Sequence, residues 1–151
     1  MAFRFHLEKV LEYRRRLEDE AKRDYMTALA NTAKSLRDLE ALYVAIDLAR
    51  TRGFEMQTGD SDRRMAPTLQ NIDVFIGGQK IRIDRQRGVI RELKAVEERM
   101  QEILIHASQE KKTLEKLRER YLEEYKAEMA RREQAEIDDL TVMRYGRGEG
   151  P

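Results

Sequence analysis

The sequence contains no cysteine and no tryptophan, and only two of its 151 residues are proline. Without cysteine, disulfides, thiolate nucleophiles and cysteine-based zinc sites are excluded. No apolar run approaches the roughly 20 residues that a membrane-spanning helix requires. The charged N-terminal residues also lack the apolar core of a signal peptide. We therefore expect no direct insertion into a membrane.

The sequence also has no large net charge: its 30 basic and 29 acidic residues leave a net charge of +1. A protein that binds nucleic acid through its phosphates is usually clearly basic. Three consecutive arginines at positions 14–16 resemble part of a basic DNA-reading helix, but the acidic residues Glu12, Glu18 and Asp19 flank them. The balance argues against nucleic-acid binding and favours ion pairs along and between helices.

The sequence is instead rich in charge and in helix-forming residues. Charged residues make up 39% of the chain and hydrophobic residues 40%, while aromatic residues make up only 7%. This composition is too charged for an ordinary globular core and too apolar for full disorder. It is typical of long helices that bury one narrow apolar stripe and expose the remaining surface.

A heptad repeat predicts a first helix over about residues 3–52, a stretch without internal glycine or proline. Apolar or small residues that recur at heptad spacing keep one stripe on one face of the helix. Arg4, Arg14 and Glu18 are expected to interrupt this stripe. Its predicted members are Leu7, Leu11, Ala21, Tyr25, Ala28, Thr32, Ser35, Leu39, Leu42, Ile46 and Ala49.

A second helix is predicted over about residues 69–145, after a mobile connection over about 53–68 that is rich in glycine and aspartate. Gly77, Gly78 and Gly88 lie inside it and indicate local weakness, a kink or close approach to a partner. Residues 146–151 are expected to form a disordered tail. The predicted stripe contains Ile72, Ile76, Ile83, Ile90, Leu93, Val96, Met100, Ile103, Ala107, Leu114, Leu117, Tyr121 and Tyr125.

Neither helix buries its stripe alone, so the sequence predicts an all-α fold, a long antiparallel two-helix coiled-coil hairpin. One domain is expected over residues 1–145. A parallel homodimer of such hairpins is an alternative that the repeat alone does not separate.

The sequence offers no constellation of residues for catalysis. His6 and His106 are the only histidines and have no partner at metal-ligand spacing. The carboxylates lie on solvated helix faces, where they pair with cations more often than they act in a cleft as acids or bases. Gly77-Gly78 does not belong to a phosphate-binding loop. We therefore expect a protein that is not an enzyme, with no catalytic residues, cofactor or metal.

Several segments together resemble the FliJ family, the coiled-coil stalk of the flagellar type III export ATPase. They are Phe3–Leu11 (FRFHLEKVL), Tyr13–Glu18 (YRRRLE), Ile72–Ile76 (IDVFI), Glu110–Glu119 (EKKTLEKLRE), Glu133–Leu140 (EQAEIDDL) and Arg144-Tyr145. The resemblance covers nearly the whole chain and implies an antiparallel two-helix coiled coil similar to the central stalk of rotary ATPases.

The resemblance also implies partners and binding residues. Family members bind and stimulate the hexameric flagellar export ATPase, contact the membrane export gate protein FlhA, and bind export chaperones. The implied location is cytoplasmic, peripheral to the inner membrane at the flagellar base. The implied ATPase-binding residues are Arg14, Arg15, Arg16, Arg131, Arg132, Glu133, Asp138 and Asp139. The implied gate-binding residues are Leu42, Ile46, Phe75 and Ile76.

Phe75 and Ile76 are adjacent, and adjacent residues on a helix do not both enter one narrow seam. One of them is therefore expected to face outward. The alternatives to a flagellar stalk are an injectisome ATPase stalk, a generic structural homodimeric coiled coil, and a holdase that resembles prefoldin subunits. The last alternative requires a strand hairpin between the helices, and residues 53–68 lack the alternating pattern of strands.

Overall fold

The computed structural model describes residues 2–58 and 65–148, with only the backbone described for residues 65–67. Two helices account for almost all of these residues: α1 (Glu8–Thr58) and α2 (Met65–Gly148). No strand occurs in the described ranges. The predicted all-α hairpin is confirmed, because the two long helices pack against each other.

α1 begins and ends later than the predicted range 3–52. Residues 2–7 are not helical, and the first turn closes where the amide of Glu8 donates to the carbonyl of Phe5 at 3.1 Å. The helix continues through Gly53, because Gly53 occupies the seam position seven residues after Ile46 and lies against Ile72 of α2. At the other end, the Thr58 hydroxyl donates to the carbonyls of Phe54 at 3.1 Å and Glu55 at 3.3 Å, as threonine side chains in helices commonly do.

α2 begins at Met65, four residues before the predicted start. Pro67 is its third residue, within the first turn, where a missing amide proton costs no intrahelical hydrogen bond. The predicted connection is therefore shorter, since residues 53–58 and 65–68 are helical, and residues 59–64 lie outside the described residues. The expected disordered tail is also partly wrong: the helix includes 146–148, and residues 149–151 lie outside the described residues.

The chain divides into two compact units. The terminal unit consists of Met1–Asp19 and Ile105–Pro151, and the central unit of Glu20–Leu104. In each unit a segment of α1 pairs antiparallel with a segment of α2. In the terminal unit Glu8 pairs with Arg118 and Glu18 with Lys111, and in the central unit Ser35 pairs with Gln86.

The central unit has a largely apolar seam. Its buried members in α1 are Ala21, Ala28, Thr32, Ile46 and Gly53, and in α2 they are Gln79, Ile83 and Ile90. The polar members need partners inside the seam. The Thr32 hydroxyl donates to the carbonyl of Ala28 at 3.0 Å, and Gln86 donates to the carbonyl of Ser35 at 3.0 Å. The residues of the predicted stripe are thus buried or half-buried, except that Ile103 is exposed and the half-buried Leu104 lies at the seam position instead.

The terminal unit has a seam in which charged residues take several positions. Leu11 is 0% exposed, and Glu18, one heptad further on, is 4% exposed. Arg14 lies in the seam between them, three residues after Leu11 and four before Glu18, and is half-buried. The expectation that Arg14 and Glu18 interrupt the stripe is therefore wrong. The register continues through them because acidic and basic residues of α2 lie opposite.

Candidate protein-binding surfaces

Among the described residues of the terminal unit, four ion pairs join α1 to α2. Lys111 Nζ lies 2.9 Å from one carboxylate oxygen of Glu18 and 3.0 Å from the other. Arg118 Nε lies 3.1 Å from Glu8, Arg15 lies 3.7 Å from Glu115, and Arg14 pairs with Glu110. Each pair joins residues about 100 positions apart in sequence, so these contacts fix the register of the two helices.

These pairs change the interpretation of the arginine cluster at positions 14–16. Arg14 and Arg15 hold α2 through Glu110 and Glu115, so their guanidinium groups are already engaged within the chain. Arg16 is exposed and makes no ion pair with any described residue. Of the three arginines, Arg16 is therefore the one whose charge is fully available to a partner.

An aromatic cluster attaches the non-helical N-terminal residues to α2. The ring centroids of Phe5 and Tyr121 are 5.9 Å apart, and those of Phe3 and Tyr125 are 5.6 Å apart. Arg118 lies over the Phe3 ring at 5.8 Å, a distance at which a cation is attracted to the ring face. Phe5 is buried as a result. The alternation of Phe3 and Phe5 against tyrosines four residues apart was the sequence signal for this contact.

The C-terminal segment, residues 130–148 of α2, is helical, and every residue in it is exposed. Five large apolar side chains lie in it, each more than half exposed: Ile137, Leu140, Val142, Met143 and Tyr145. Isolated helices are marginal in water and gain most of their stability from packing of an apolar face. This segment therefore exposes apolar side chains that no described residue of the chain covers.

The charged residues predicted for ATPase binding in the C-terminal segment are all exposed. Arg131 and Arg132 lie 3.8 Å and 3.3 Å from Glu128, and Asp138 accepts a hydrogen bond from Gln134 at 2.9 Å. These contacts span three or four residues along one helix, and exposed pairs of this kind are weak. Glu133 and Asp139 are exposed in the same segment. The charges are thus accessible to a partner.

The four residues predicted to bind the gate are not equally accessible. Ile46 is 5% exposed and belongs to the seam, and Leu42 and Ile76 are half-buried. Phe75 is 45% exposed, so the expectation that one of the adjacent pair Phe75 and Ile76 faces outward is confirmed. Phe75 is the member of the set that a partner reaches without opening the helix pair.

Phe75 borders an open apolar groove of about 600 Å³ between α1 and α2 in the central unit. The sequence analysis did not anticipate this groove. The signal available was the spacing of Ala45 and Ala49, small residues one turn apart. The residues that line this groove are Ala45, Leu48, Ala49, Arg52, Met56, Thr68, Asn71, Ile72 and Phe75.

The described residues contain no cluster of histidine and carboxylate groups able to hold a metal ion. Among the same residues, no helix combines the length and apolar character needed to cross a membrane.

Comparison with known protein families identifies the particular kind of coiled coil. The model of the flagellar FliJ protein family matches residues 3–150. The chain belongs to this family, and it is a protein related to flagellar export. No curated protein and no solved structure matches the chain.

Proposed function

We propose that this chain is the non-catalytic stalk of the flagellar type III export apparatus, cytoplasmic and peripheral to the inner membrane. In this proposal the terminal unit binds and stimulates the hexameric export ATPase. The central unit contacts the export gate protein FlhA near Phe75, and the chain also binds export chaperones. Membership of the flagellar family supports a flagellar system over an injectisome.

The observation that carries the ATPase assignment is the exposed apolar surface of the C-terminal segment. Ile137 and Leu140 lie three residues apart, on one side of the helix, and both are more than half exposed. A rod of this kind influences a ring of subunits only through contacts that differ between their conformational states. Exposed apolar side chains flanked by charges supply such contacts, because their burial is favourable while exposed charge pairs exchange readily.

ATP hydrolysis by the same organism's flagellar export ATPase, with and without the purified chain, tests this proposal. We expect stimulation by the chain and its loss when Ile137→Asp and Leu140→Asp are combined. The matched control is Ile103→Asp, which changes an exposed isoleucine of the central unit and is expected to keep full stimulation. Circular dichroism establishes that each variant remains helical.

The arginine cluster allows a second comparison in the same assay. Arg16→Glu reverses an exposed charge and is expected to weaken stimulation without changing stability. Arg14→Glu also breaks the contact with Glu110, so it is expected to lower both the stimulation of the ATPase and the stability of the chain. Restoration of stability in Arg14→Glu/Glu110→Arg separates the internal role of Arg14 from any contact with the ATPase.

Stimulation that survives the combined Ile137→Asp and Leu140→Asp change would contradict the assignment of the C-terminal segment to the ATPase.

A generic structural homodimer makes a different prediction. Its seam would be filled by a second chain, so its stability and sedimentation would depend on protein concentration. Here the seams of both units are filled by α1 and α2 of one chain. We therefore expect a monomer in analytical ultracentrifugation, and a stable dimer without any effect on the ATPase would favour the structural role.

A further inference from the structure

The N-terminal clasp, residues 2–7, packs against α2 at the end of the terminal helix pair. The rings of Phe5 and Tyr121 are 5.9 Å apart between centroids, and those of Phe3 and Tyr125 are 5.6 Å apart. The spacings of the two segments match, because four residues of a helix rise by about 6 Å and two residues of extended chain span about 6.6 Å. Alternate residues of the clasp therefore meet every fourth residue of α2.

Continuation of α1 through the clasp would not bury these rings. In the heptad register of α1, Phe5 would take the outer position seven residues before Glu12, which is exposed. Arg4 would take the seam position seven residues before Leu11. The observed conformation instead buries Phe5, which is 6% exposed, and leaves Arg4 in solvent. Residues 2–7 contain no glycine or proline, so contacts with α2 rather than helix-breaking residues select the clasp.

Arg118 of α2 joins the clasp to the start of α1. Its guanidinium carbon lies 5.8 Å from the centre of the Phe3 ring, and its Nε atom lies 3.1 Å from the carboxylate of Glu8, the first residue of α1. The ring of His6 lies 5.6 Å from that of Tyr121. The clasp, the first turn of α1 and this part of α2 are thus fixed by one connected set of contacts.

The clasp covers α2 just before the C-terminal segment begins. Between Tyr125 and residue 148 every residue is exposed except Met129, which is half-buried. A helix without a packed apolar face is marginal in water, and the cost of nucleating it is avoided only when it grows from a turn that is already fixed. Through Tyr121 and Tyr125 the clasp fixes such a turn.

We propose that Phe3 and Phe5 are positioning residues for the ATPase contact. By holding Tyr121 and Tyr125 they keep the C-terminal segment helical before it meets the ATPase. A segment that is already ordered loses less conformational entropy on binding. The clasp therefore lowers the concentration of chain needed for stimulation and leaves the stimulation at saturation unchanged. This inference deepens the proposed function, on which it rests for the identity of the partner.

Hydrogen exchange of the purified full chain, followed by mass spectrometry, tests the hold of the clasp on α2. Phe3→Leu/Phe5→Leu removes both rings and keeps apolar side chains. We expect amide exchange in residues 119–135 to accelerate about three- to ten-fold, the effect of losing one or two ring contacts. Exchange in residues 28–50 of the central unit is expected to stay unchanged. The matched control is Phe54→Leu, which changes an exposed phenylalanine of the central unit and is expected to leave residues 119–135 unaffected.

Stimulation of the export ATPase over a range of chain concentrations tests the functional role. We expect Phe3→Leu/Phe5→Leu to raise the concentration for half-maximal stimulation about three- to ten-fold, with the same maximum. Phe3→Tyr keeps a ring at the half-buried position 3 and is expected to match the wild type. Phe3→Leu is expected to shift the half-maximal concentration by about two-fold or more. Phe54→Leu is expected to change neither quantity.

The remaining outcomes also decide the question. Unchanged exchange in residues 119–135 overturns the inference, and so does a lower half-maximal concentration, which would make the clasp inhibitory. A fall in maximal stimulation alone also overturns it, because positioning acts on binding. If the double variant loses helicity in circular dichroism, Phe3→Leu and Phe3→Tyr are compared in both assays, and equal behaviour of the two refutes a role for the ring. If the wild-type chain gives no stimulation, the proposed function fails, whereas accelerated exchange would still establish the hold of the clasp on α2.

Discussion

The ion pair between Glu18 and Lys111 allows a demanding test of how the terminal unit is held together. The Glu18 side chain is almost fully buried, and Lys111 Nζ lies 2.9 Å from one of its oxygens. Lys111→Met removes the ammonium group but keeps most of the apolar stem. We expect this single change to lower the free energy of unfolding more than any substitution of an exposed charge.

The size of the effect follows from the geometry. At 2.9 Å, two unit charges attract each other by about 6 kcal/mol when the effective dielectric constant is about 20. The cost of desolvating both groups offsets most of this attraction. Removal of the ammonium group takes away this attraction while most of the desolvation cost of Glu18 remains, so Lys111→Met is expected to destabilise by about 1–3 kcal/mol. Replacement of both residues, in Glu18→Leu/Lys111→Leu, is expected to be neutral or stabilising by about 1–3 kcal/mol.

Urea unfolding followed by circular dichroism at 222 nm measures these differences. The control is Arg120→Met, which breaks an exposed pair with Glu124 and is expected to change stability by less than about 0.5 kcal/mol. Because the Glu18 contact is buried, its contribution is expected to persist at 0.5 M salt better than that of exposed pairs. Equal stability of the wild-type chain and Lys111→Met would refute the reasoning, and so would a double variant less stable than the single one.

The glycine positions and the seam register give two further predictions. Gly77→Ala and Gly78→Ala are each expected to raise the free energy of unfolding by about 0.5–1 kcal/mol, since both glycines are helical, neither has positive φ, and an added Cβ meets no atom within 4 Å. Thermal unfolding checks this, and a loss of stability would indicate a contact that the structure lacks. Ile83→Ala is expected to cost about 2–4 kcal/mol, whereas Ile103→Ala is expected to cost less than about 1 kcal/mol because Ile103 is exposed. Similar losses for the two isoleucines would contradict the seam assignment.

The heptad repeat predicted most of the buried seam, because residues seven apart stay on one side of a supercoiled helix. The prediction went wrong at Ile103, where an apolar residue stands beside the true seam position. In the structure the seam passes through Glu97 and Leu104, seven residues apart, and Ile103 is exposed. Val96 and Ile103 are the more apolar choice, and Val96 is half-buried as Glu97 is, but Ile103 is exposed because the register of the helix pair tolerates charged residues at seam positions.

The helix ends were less predictable, because they depend on contacts between the helices. Gly53 reads as a helix breaker in a single sequence. In the structure it is buried, and its Cβ position lies 3.8–3.9 Å from side-chain atoms of Ile72 and Leu69. Packing against α2 thus stabilises a turn that local propensity disfavours, and α1 continues to Thr58.

The accessibility of the candidate binding residues was also only partly predictable, because it too depends on contacts between the helices. That one of Phe75 and Ile76 is exposed followed from their adjacency, which is a property of one helix, but the sequence did not indicate that it would be Phe75. Engagement of Arg14 by Glu110 and of Arg15 by Glu115 did not follow, because it depends on which residues of α2 lie opposite. The apolar groove depends on the same register, so Leu48 and Arg52 gave no signal of their own in the sequence.

Residues 77–79 combine two sources of instability beside the apolar groove. Gly77 and Gly78 weaken the helix without any compensating contact among the described residues. Gln79 is 7% exposed, and its Oε1 atom accepts no hydrogen bond within that same part of the chain. A buried polar atom without a partner costs about 1–3 kcal/mol. Segments of low local stability are the ones that rearrange when a ligand binds. The part of α2 that follows Phe75 is therefore a segment of low local stability within the described helices.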